Sequence, residues 1–284
     1  MQRYYLNLPL LNAVDKINFI FGVNFDWSTL NLAPRFKDAL RASLFHLVVT
    51  LVIAVLAAAL VFLVWYPYPY QHLAGGRELF LLIVIVDVVC GPLLTAVVFN
   101  RAKPRAELIR DLALIASIQF IALVYGVSTV WQVRPLFLVM EVERFKVIYA
   151  ADFGDVDLLN LPTSLQPSLF SGPHTVALRA PKDFQERNKV LLDSVQGGRD
   201  YAERPEFYLP YEGANALKTL IRAKPLSVFL QKQPDQSAVA RHLALQRNAD
   251  ISQWMYLPVV ARQNWVAVLD KHGQIQGFLK GDGF

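Results

Sequence analysis

Residues 79–99, LFLLIVIVDVVCGPLLTAVVF, form an apolar run that a single acid interrupts, Asp87. A helix needs about 20 apolar residues to cross the hydrocarbon core of a bilayer, so this stretch predicts a transmembrane helix. A carboxyl group inside such a helix is costly, and by default it marks a functional site. Gly91 and Pro92 follow one turn later. Proline removes a backbone donor and glycine lets another helix approach closely, so the central helix carries an acid and a weak point on adjoining turns.

Two further apolar runs, residues 44–66 and 112–131, flank the central one. The first contains no acid, lysine or arginine, and it ends in Trp65 and Tyr66, whose rings favour the headgroup region of a bilayer. The whole chain is 54% hydrophobic and 18% charged, with a mean hydropathy of +0.33. Soluble domains average about 25% charged residues. We therefore predict a transmembrane domain of three helices over residues 43–133.

The lysines and arginines beside the spans predict how the chain is oriented in the membrane. Three precede the first span and four lie between the second and third, whereas the loop after the first span and the exit from the third have one each. Because cytoplasmic flanks carry the excess, this distribution puts the N-terminus and residues 100–111 in the cytoplasm. The formal net charge of +5 is then explained by topology rather than by nucleic-acid binding.

Residues 1–42 form a cytoplasmic lead-in with an apolar stripe. The stripe consists of Leu10, Val14, Ile17 and Phe21, which fall on one helical face. Two interpretations are open: an interfacial helix that lies on the membrane, or a loosely ordered tail. A cleavable signal peptide is not indicated, because the first apolar run starts late and is long.

Residues 134–284 predict a small α+β domain on the far side of the membrane, which in a bacterium is the periplasm. Residues 136–149 are rich in β-forming side chains and predict one strand, with Glu141 and Glu143 on the same side. Further expected elements are helices over 181–195, 215–223 and 237–246, and strands over 254–260, 265–270 and 274–279. The expected fold class is thus a three-helix membrane region followed by an α+β domain.

Helix depth suggests which groups meet Asp87 inside the bilayer. At about 1.5 Å per residue, Asp87 lies roughly 12 Å below the outer surface, Tyr125 roughly 9 Å and Gln119 roughly 18 Å. Tyr125 is therefore the first candidate for a hydrogen bond to Asp87, and Gln119 the second. The candidate intramembrane notch consists of Asp87, Gly91, Pro92, Gln119, Tyr125 and Gly126. Three roles remain open for the acid: pinning the helices together, docking a partner helix, or relaying protons.

Motifs for catalysis or metal binding are not found in the sequence. It has no GxSxG motif, no glycine-rich phosphate loop and no HExxH spacing among its five histidines. The single cysteine, Cys90, lies within the central span and excludes a disulfide inside the chain. We therefore expect no catalytic residues, no metal and no cofactor.

Four segments in a fixed order resemble the type IV pilin accessory protein family, the TfpX/TfpZ-like group. They are WYPYPY (65–70), VDVVCGPLLTAVVFN (86–100), IQFIALVYG (118–126) and RPLFLVMEVERF (134–145). The resemblance covers residues from about 40 to 150, and residues 265–279 show a weaker similarity to the same family. Each segment alone is unspecific, but their order and spacing are more specific.

The resemblance implies an inner-membrane factor of type IV pilus biogenesis that stabilises or chaperones pilin and is not an enzyme. The implied partners are a type IV pilin, other pilus-assembly proteins and the lipid bilayer, with no nucleic acid. The resemblance supplies no catalytic residue to carry over. The alternative is a membrane-bound enzyme that modifies pilin at the periplasmic face. A membrane sensor is a weaker third hypothesis, because residues 1–43 and 100–111 leave little room for a cytoplasmic output module.

Overall fold

The computed structural model describes residues 34–154, 156 and 158–284. The interfacial helix predicted within the lead-in lies outside these residues. In the part described, long apolar helices come first in the chain and a mixed sheet with helices follows. The coarse fold class expected from the sequence is thereby confirmed.

The first half of the described chain contains three long helices and one short helix. They are α1 (Pro34–Ala59, continued by π-helical turns over Leu60–Trp65), α2 (Tyr70–Leu73), α3 (Gly76–Val98) and α4 (Arg105–Gln132). By length and composition, α1 with its continuation, α3 and α4 can each cross a membrane. All three predicted spans are therefore present as helices, and each begins several residues earlier than its apolar run because polar residues fill the first turns.

The described residues form two compact units. One unit contains the residues up to Ala58 together with Phe80–Ser128, and the other contains Ala59–Leu79 and Thr129–Phe284. The sequence prediction grouped residues 43–133 with the membrane helices. In the structure, the aromatic segment that follows the first apolar helix belongs instead to the unit that holds the sheet.

The second unit contains four more helices and a single mixed sheet of eight strands. The strands are β1 (Pro135–Glu141), β2 (Arg144–Tyr149), β3 (His174–Leu178), β4 (Tyr208–Pro210), β5 (Lys224–Pro225), β6 (Met255–Val260), β7 (Trp265–Leu269) and β8 (Ile275–Lys280). The helices are α5 (Phe184–Val195), α6 (Gly213–Thr219), α7 (Leu226–Lys232) and α8 (Ser237–Arg247). The strand order is β4-β3-β1-β2-β6-β7-β8, with β5 paired to β6. Strand β1 is parallel to β3 and β2 is parallel to β6, while the other pairs are antiparallel.

Strand β1 is buried on both faces of the sheet. Leu138 belongs to one apolar cluster, with Phe145 and Leu257, whereas its neighbours Phe137 and Val139 belong to a cluster on the opposite face. Successive side chains of a strand point to opposite faces, so this continuous apolar run fills two cores at once. This burial on both faces explains why the sequence of β1 is an unbroken hydrophobic segment rather than an alternating one.

The predicted single strand over 136–149 is wrong, because the chain reverses within it. Strands β1 and β2 form a tight antiparallel hairpin in which Glu141 pairs with Arg144, so Val142 and Glu143 make the turn. Val142 adopts a φ of 48°, the left-handed region that such a two-residue turn requires. The expectation that Glu141 and Glu143 share one strand face is therefore wrong as well. Glu141 instead forms an ion pair with Arg144 at 2.8 Å.

Most of the later elements agree with the sequence prediction, and a few were missed. The helix expected over 181–195 begins at Phe184, because the Asp183 side chain accepts a hydrogen bond from the Glu186 backbone amide and caps it. The hairpin of β7 and β8 is present, and the Asp270 carboxylate accepts backbone amides across its turn. Strands β3, β4 and β5 and helix α7 were not expected; each is only a few residues long.

Candidate functional site

The central helix α3 is hydrogen-bonded to α1 through polar side chains. The Ser43 hydroxyl donates to the main-chain carbonyl of Pro92 at 2.6 Å. One turn further along, His46 Nδ1 and Thr95 Oγ1 share a hydrogen bond of 2.6 Å. Ser43 and Thr95 are both buried. Hydrogen bonds between helices are one of the forces that hold helices together in lipid, where apolar contact alone gives no preference.

On its other side, α3 is hydrogen-bonded to α4 at the position of the intramembrane acid. The Gln119 side-chain amide donates to the main-chain carbonyl of Asp87 at 3.0 Å. Asp87 is 8% exposed, so its side chain is enclosed among the helices of this unit. The Gln119 Oε1 atom is enclosed too, and it has no hydrogen-bond partner within the described residues. The second candidate from depth, Gln119, thus reaches Asp87, but at the backbone rather than at the carboxyl group.

The space beside two glycines of the predicted notch is occupied by side chains from the facing helix. A Cβ atom on Gly91 would lie 2.0 Å from Gln119 Nε2, and one on Gly126 would lie 2.6 Å from Ile83 Cγ2. Both positions therefore let α3 and α4 approach, and a larger residue at either one would push the neighbouring side chain away. The notch is in this respect a packing feature between α3 and α4.

Tyr125 is more exposed than the other residues of the predicted notch. Its side chain is 74% exposed, whereas Asp87 and Gly91 are buried. It shares an outward face of α4 with Ile118 and Ala122, which are also exposed. The structure thus brings Asp87, Gly91 and Gln119 together and leaves Tyr125 on the outside of this unit.

Three residues of this polar network were not among the predicted notch residues: Ser43, His46 and Thr95. The sequence signal available for them was position, since His46 and Thr95 are polar residues inside apolar runs and Ser43 lies directly before one. Ser43 and His46 are separated by three residues, and so are Pro92 and Thr95, so both pairs recur on one helical face. Pro92 itself takes part through its carbonyl group.

A second group of polar residues lines a cleft of about 640 Å³ in the sheet unit. The Lys146 ammonium donates to Glu203 at 2.8 Å and to Asp200 at 3.1 Å. Burial alone would lower the pKa of Lys146, but these hydrogen bonds raise it above its ordinary value. Burial also raises the pKa of the Asp152 carboxyl, whose oxygen accepts the Tyr149 backbone amide at 2.8 Å.

The aromatic segment 65–70 joins the sheet unit through specific contacts. The Tyr66 hydroxyl donates to the main-chain carbonyl of Val130 at 2.9 Å, and the Trp65 indole donates to that of Leu169 at 2.8 Å. Trp131 packs against Trp65, and the Arg134 guanidinium lies 3.0 Å from the centroid of the Trp131 ring. Burial lowers the pKa of Arg134 to about 10. The segment thus acts as a clamp that ties residues 129–134 to the end of the first apolar helix.

These features define a class of protein with three helices able to cross a membrane, polar side chains between them, and a mixed sheet-and-helix domain. The family of fimbrial assembly protein FimB matches residues 34–75. A fimbrial assembly protein of Dichelobacter nodosus serogroup I is 34% identical over 256 residues, which is 88% of this chain and 98% of that protein. The serogroup E1 protein of the same species is 33% identical over the same shares of both chains.

A shorter relative, the fimbrial assembly protein of serogroups C1 and C2, is 41% identical over 128 residues, 45% of this chain and 95% of that protein. No solved structure matches the chain. The chain belongs to the family of fimbrial assembly proteins that these relatives represent. The pilus accessory family expected from the four sequence segments is thereby confirmed.

Proposed function

We propose that this protein is an accessory factor of type IV pilus biogenesis that holds pilin in the bacterial inner membrane before or during assembly, without catalysing a reaction. Membership of the fimbrial assembly family supports a role in pilus biogenesis. Three helices able to cross a membrane support a place beside a subunit that waits there as an apolar helix. Two points are proposed beyond family membership: that the protein holds its partner in the membrane, and that this partner is a pilin.

The observation that carries the proposal is the division of the notch into an inner and an outer part. Asp87 and Gln119 are turned inward, where they join α3 to α4. Tyr125, with Ile118 and Ala122, faces away from this unit. In a membrane this face would meet lipid or a partner helix, and a hydroxyl beside a small residue favours a helix over lipid. The inner residues set the position of α4, and the outer residues contact the pilin helix.

The proposed orientation places the sheet unit in the periplasm, where the globular part of a pilin also resides. The charge distribution along the spans supports this orientation. Fusions of alkaline phosphatase, which is active only after export, test it at two positions. A fusion at Ala74 should be active and one at Asn100 inactive; the opposite pattern would place the domain in the cytoplasm.

Co-purification of pilin from membranes tests the holding role. The Tyr125→Ala variant should retain less pilin than the wild type and keep most of its own melting temperature, because the Tyr125 side chain is 74% exposed. The Gln119→Ala variant should lose both pilin and stability, because it loses the hydrogen bond from the Gln119 side chain to the Asp87 main-chain carbonyl. Val97→Ala, at an exposed position on the neighbouring helix α3, is the control and should behave as wild type. If the wild-type protein captures no pilin and its deletion leaves pilus number unchanged, the proposal fails.

In the enzymatic alternative, the active site would be the polar cleft that Lys146, Asp152 and Glu203 line. An acid of raised pKa beside a lysine is an arrangement that can move protons. The intact mass of pilin from cells with and without this protein separates the two functions. An identical mass excludes covalent modification, whereas a mass difference that Lys146→Met removes would favour the enzyme.

A further inference from the structure

The polar cleft of the sheet unit is lined by one acid and one cation that lack ion-pair partners. Lys146, which lines the cleft as well, is neutralised by Glu203 and Asp200. Asp152 and Arg262 also line it, but neither forms an ion pair with any residue that the structure describes, including each other. Charged groups in a cleft are partly removed from water, so each of these two favours a counter-charge.

The hydroxyl group of Tyr149 lies close to both of these charges. Burial raises the pKa of the Tyr149 hydroxyl, the Asp152 carboxylate adds to this increase, and Arg262 opposes it. Because interactions between charges weaken with distance, the acid and the cation both lie near this one hydroxyl group. The cleft therefore presents a carboxylate, a hydroxyl and a guanidinium near one another, with no ion pair between the carboxylate and the guanidinium.

A small ligand that carries both charges complements these groups. The planar guanidinium of Arg262 can bind a phosphate through two parallel hydrogen bonds. A primary ammonium has three N–H donors for the Asp152 carboxylate and the Tyr149 hydroxyl, whereas a quaternary ammonium has none. A purely anionic ligand would be repelled by Asp152, and a purely cationic one by Arg262. The volume of about 640 Å³ lies within the range of roughly 300–1,000 Å³ for small-molecule sites.

One edge of the cleft is formed by residues that adjoin two of the apolar helices in the chain. Gly75 directly precedes α3 and Val133 directly follows α4, and both line the cleft. The start of α3, up to Leu79, and the end of α4, from Thr129, belong to the same compact unit as the cleft. This edge of the cleft is therefore fixed to the helix ends by the chain itself.

The lengths of these helix ends place the edge of the cleft at the level of lipid headgroups. The apolar span of α4 extends to Gln132, and that of α3 begins at Phe80. Phe80 follows Gly76 by four residues, which is about 6 Å along a helix. The headgroup layer adds roughly 5–7 Å to each side of the hydrocarbon core. In a bilayer that α3 and α4 cross, Gly75 and Val133 therefore lie among the headgroups.

We propose that the polar cleft binds the headgroup of a phospholipid that carries a phosphate and a primary ammonium, with the phosphate on Arg262 and the ammonium on Asp152. Soluble phosphoethanolamine has the same two charged groups, but the position of the cleft beside the helix ends favours the lipid. The site contains none of the intramembrane residues, so it is independent of the proposed contact with pilin. Its occupant would tie the sheet unit to the surface of the bilayer.

Native mass spectrometry of the full-length protein in detergent tests the proposal. The probes are phosphatidylethanolamine, phosphatidylcholine and phosphatidylglycerol with the same acyl chains, added in equal amounts. Lipids also bind to apolar helices without selecting a headgroup, so the preference among the three is the quantity that matters. The wild type should bind phosphatidylethanolamine about tenfold more tightly than the other two, because only its headgroup donates hydrogen bonds from a primary ammonium to Asp152.

Variants of the two charged residues assign each half of the headgroup. Asp152→Asn should abolish the preference for phosphatidylethanolamine and leave binding of phosphatidylglycerol intact. Asparagine keeps an oxygen that can accept the Tyr149 backbone amide, so the local fold is retained. Arg262→Gln should weaken binding of both lipids about tenfold. Arg241→Gln, at an exposed arginine on α8, is the matched control and should bind as the wild type does.

Two results would overturn the proposal. One is a wild type that binds the three lipids equally, or a preference that survives in both Asp152→Asn and Arg262→Gln. The other comes from soluble O-phosphoethanolamine, added at the same concentration as the lipid. It should displace little phosphatidylethanolamine; displacement by half or more would show that the cleft takes a soluble ligand rather than a lipid.

Discussion

Gln119 donates its side-chain amide to the main-chain carbonyl of Asp87, at 3.0 Å, and its side chain occupies the space that a Cβ atom on Gly91 would need. The Gln119 side chain of α4 therefore contacts two positions of α3, Asp87 and Gly91, which lie four residues apart on the same helical face. The acid that makes the central helix conspicuous in the sequence is thus held through its backbone, and the glycine beside it is required by the glutamine rather than by a hinge.

Gly91→Ala should destabilise the protein, because the added methyl group meets Gln119 Nε2 at 2.0 Å. Overpacking of a close contact typically costs about 1–3 kcal/mol. The melting temperature in detergent should fall accordingly. The double variant Gly91→Ala with Gln119→Ala removes the obstacle, so it should recover stability relative to Gly91→Ala alone. Failure of that rescue would show that Gly91 is needed for another reason, such as backbone flexibility next to Pro92.

Tyr66→Phe should weaken the clamp between residues 65–70 and 129–134. The Tyr66 hydroxyl is buried and donates to the Val130 carbonyl at 2.9 Å, so its loss leaves an acceptor without its donor. A net loss of about 1–2 kcal/mol is expected for such a bond. Tyr68→Phe is the control, since Tyr68 is exposed. Thermal unfolding of both variants checks the prediction; equal melting temperatures would contradict it.

The ion pair between Arg179 and Glu186 should make the stability of helix α5 depend on pH. The Arg179 guanidinium and the Lys182 backbone amide lower the pKa of Glu186 from 4.5 to about 2. A lowered carboxyl pKa contributes stability that is present above the unfolded value and is lost as pH falls through the folded value. The contribution of Glu186 should therefore decline between pH 4.5 and about 2.

Hydrogen exchange of the α5 amides in the wild type and in Glu186→Gln measures this dependence. Above pH 4.5 the variant should exchange faster than the wild type, and the difference should vanish near pH 2. Because the Glu186 side chain is partly exposed to solvent, added salt should reduce the difference as well. A difference that is constant across this range would mean that the carboxylate charge does not hold the helix.

The apolar helices were predictable from sequence because each residue of a membrane span obeys the same requirement for low polarity. The partner of Asp87 was harder to predict, since depth fixes position along the helix axis but not rotation about it. Tyr125 matched Asp87 best in depth, yet it is 74% exposed. Gln119, about one turn deeper than Asp87, is the residue whose side chain faces α3. Helix α5 shows the same limit: Phe184, Leu191 and Val195 lie on one of its faces and are exposed. A hydrophobic pattern does not tell which side of a helix its domain will cover.

The β1–β2 hairpin was missed because its turn lacks the usual residues. Two-residue hairpin turns favour Asn-Gly or Asp-Gly, whose residues adopt positive φ easily. Here the turn is Val142-Glu143, within a run of β-forming residues. A β-branched residue at a φ of 48° is strained, so the turn is held by the pairing of its strands rather than by local preference.

Replacing Val142 should therefore stabilise the domain. The left-handed conformation costs an L-residue about 1–2 kcal/mol, and asparagine tolerates it better than valine. Val142 is 70% exposed, so Val142→Asn loses little packing. For a domain of this size, each kcal/mol corresponds to roughly 2–4 °C in melting temperature. Val142→Asn should raise the midpoint of thermal unfolding by a few degrees, and Val142→Gly by less, because glycine increases the entropy of the unfolded chain. Val195→Asn, at an exposed helical position, is the control and should not raise it; a lower midpoint for Val142→Asn would show that the valine side chain supports the turn.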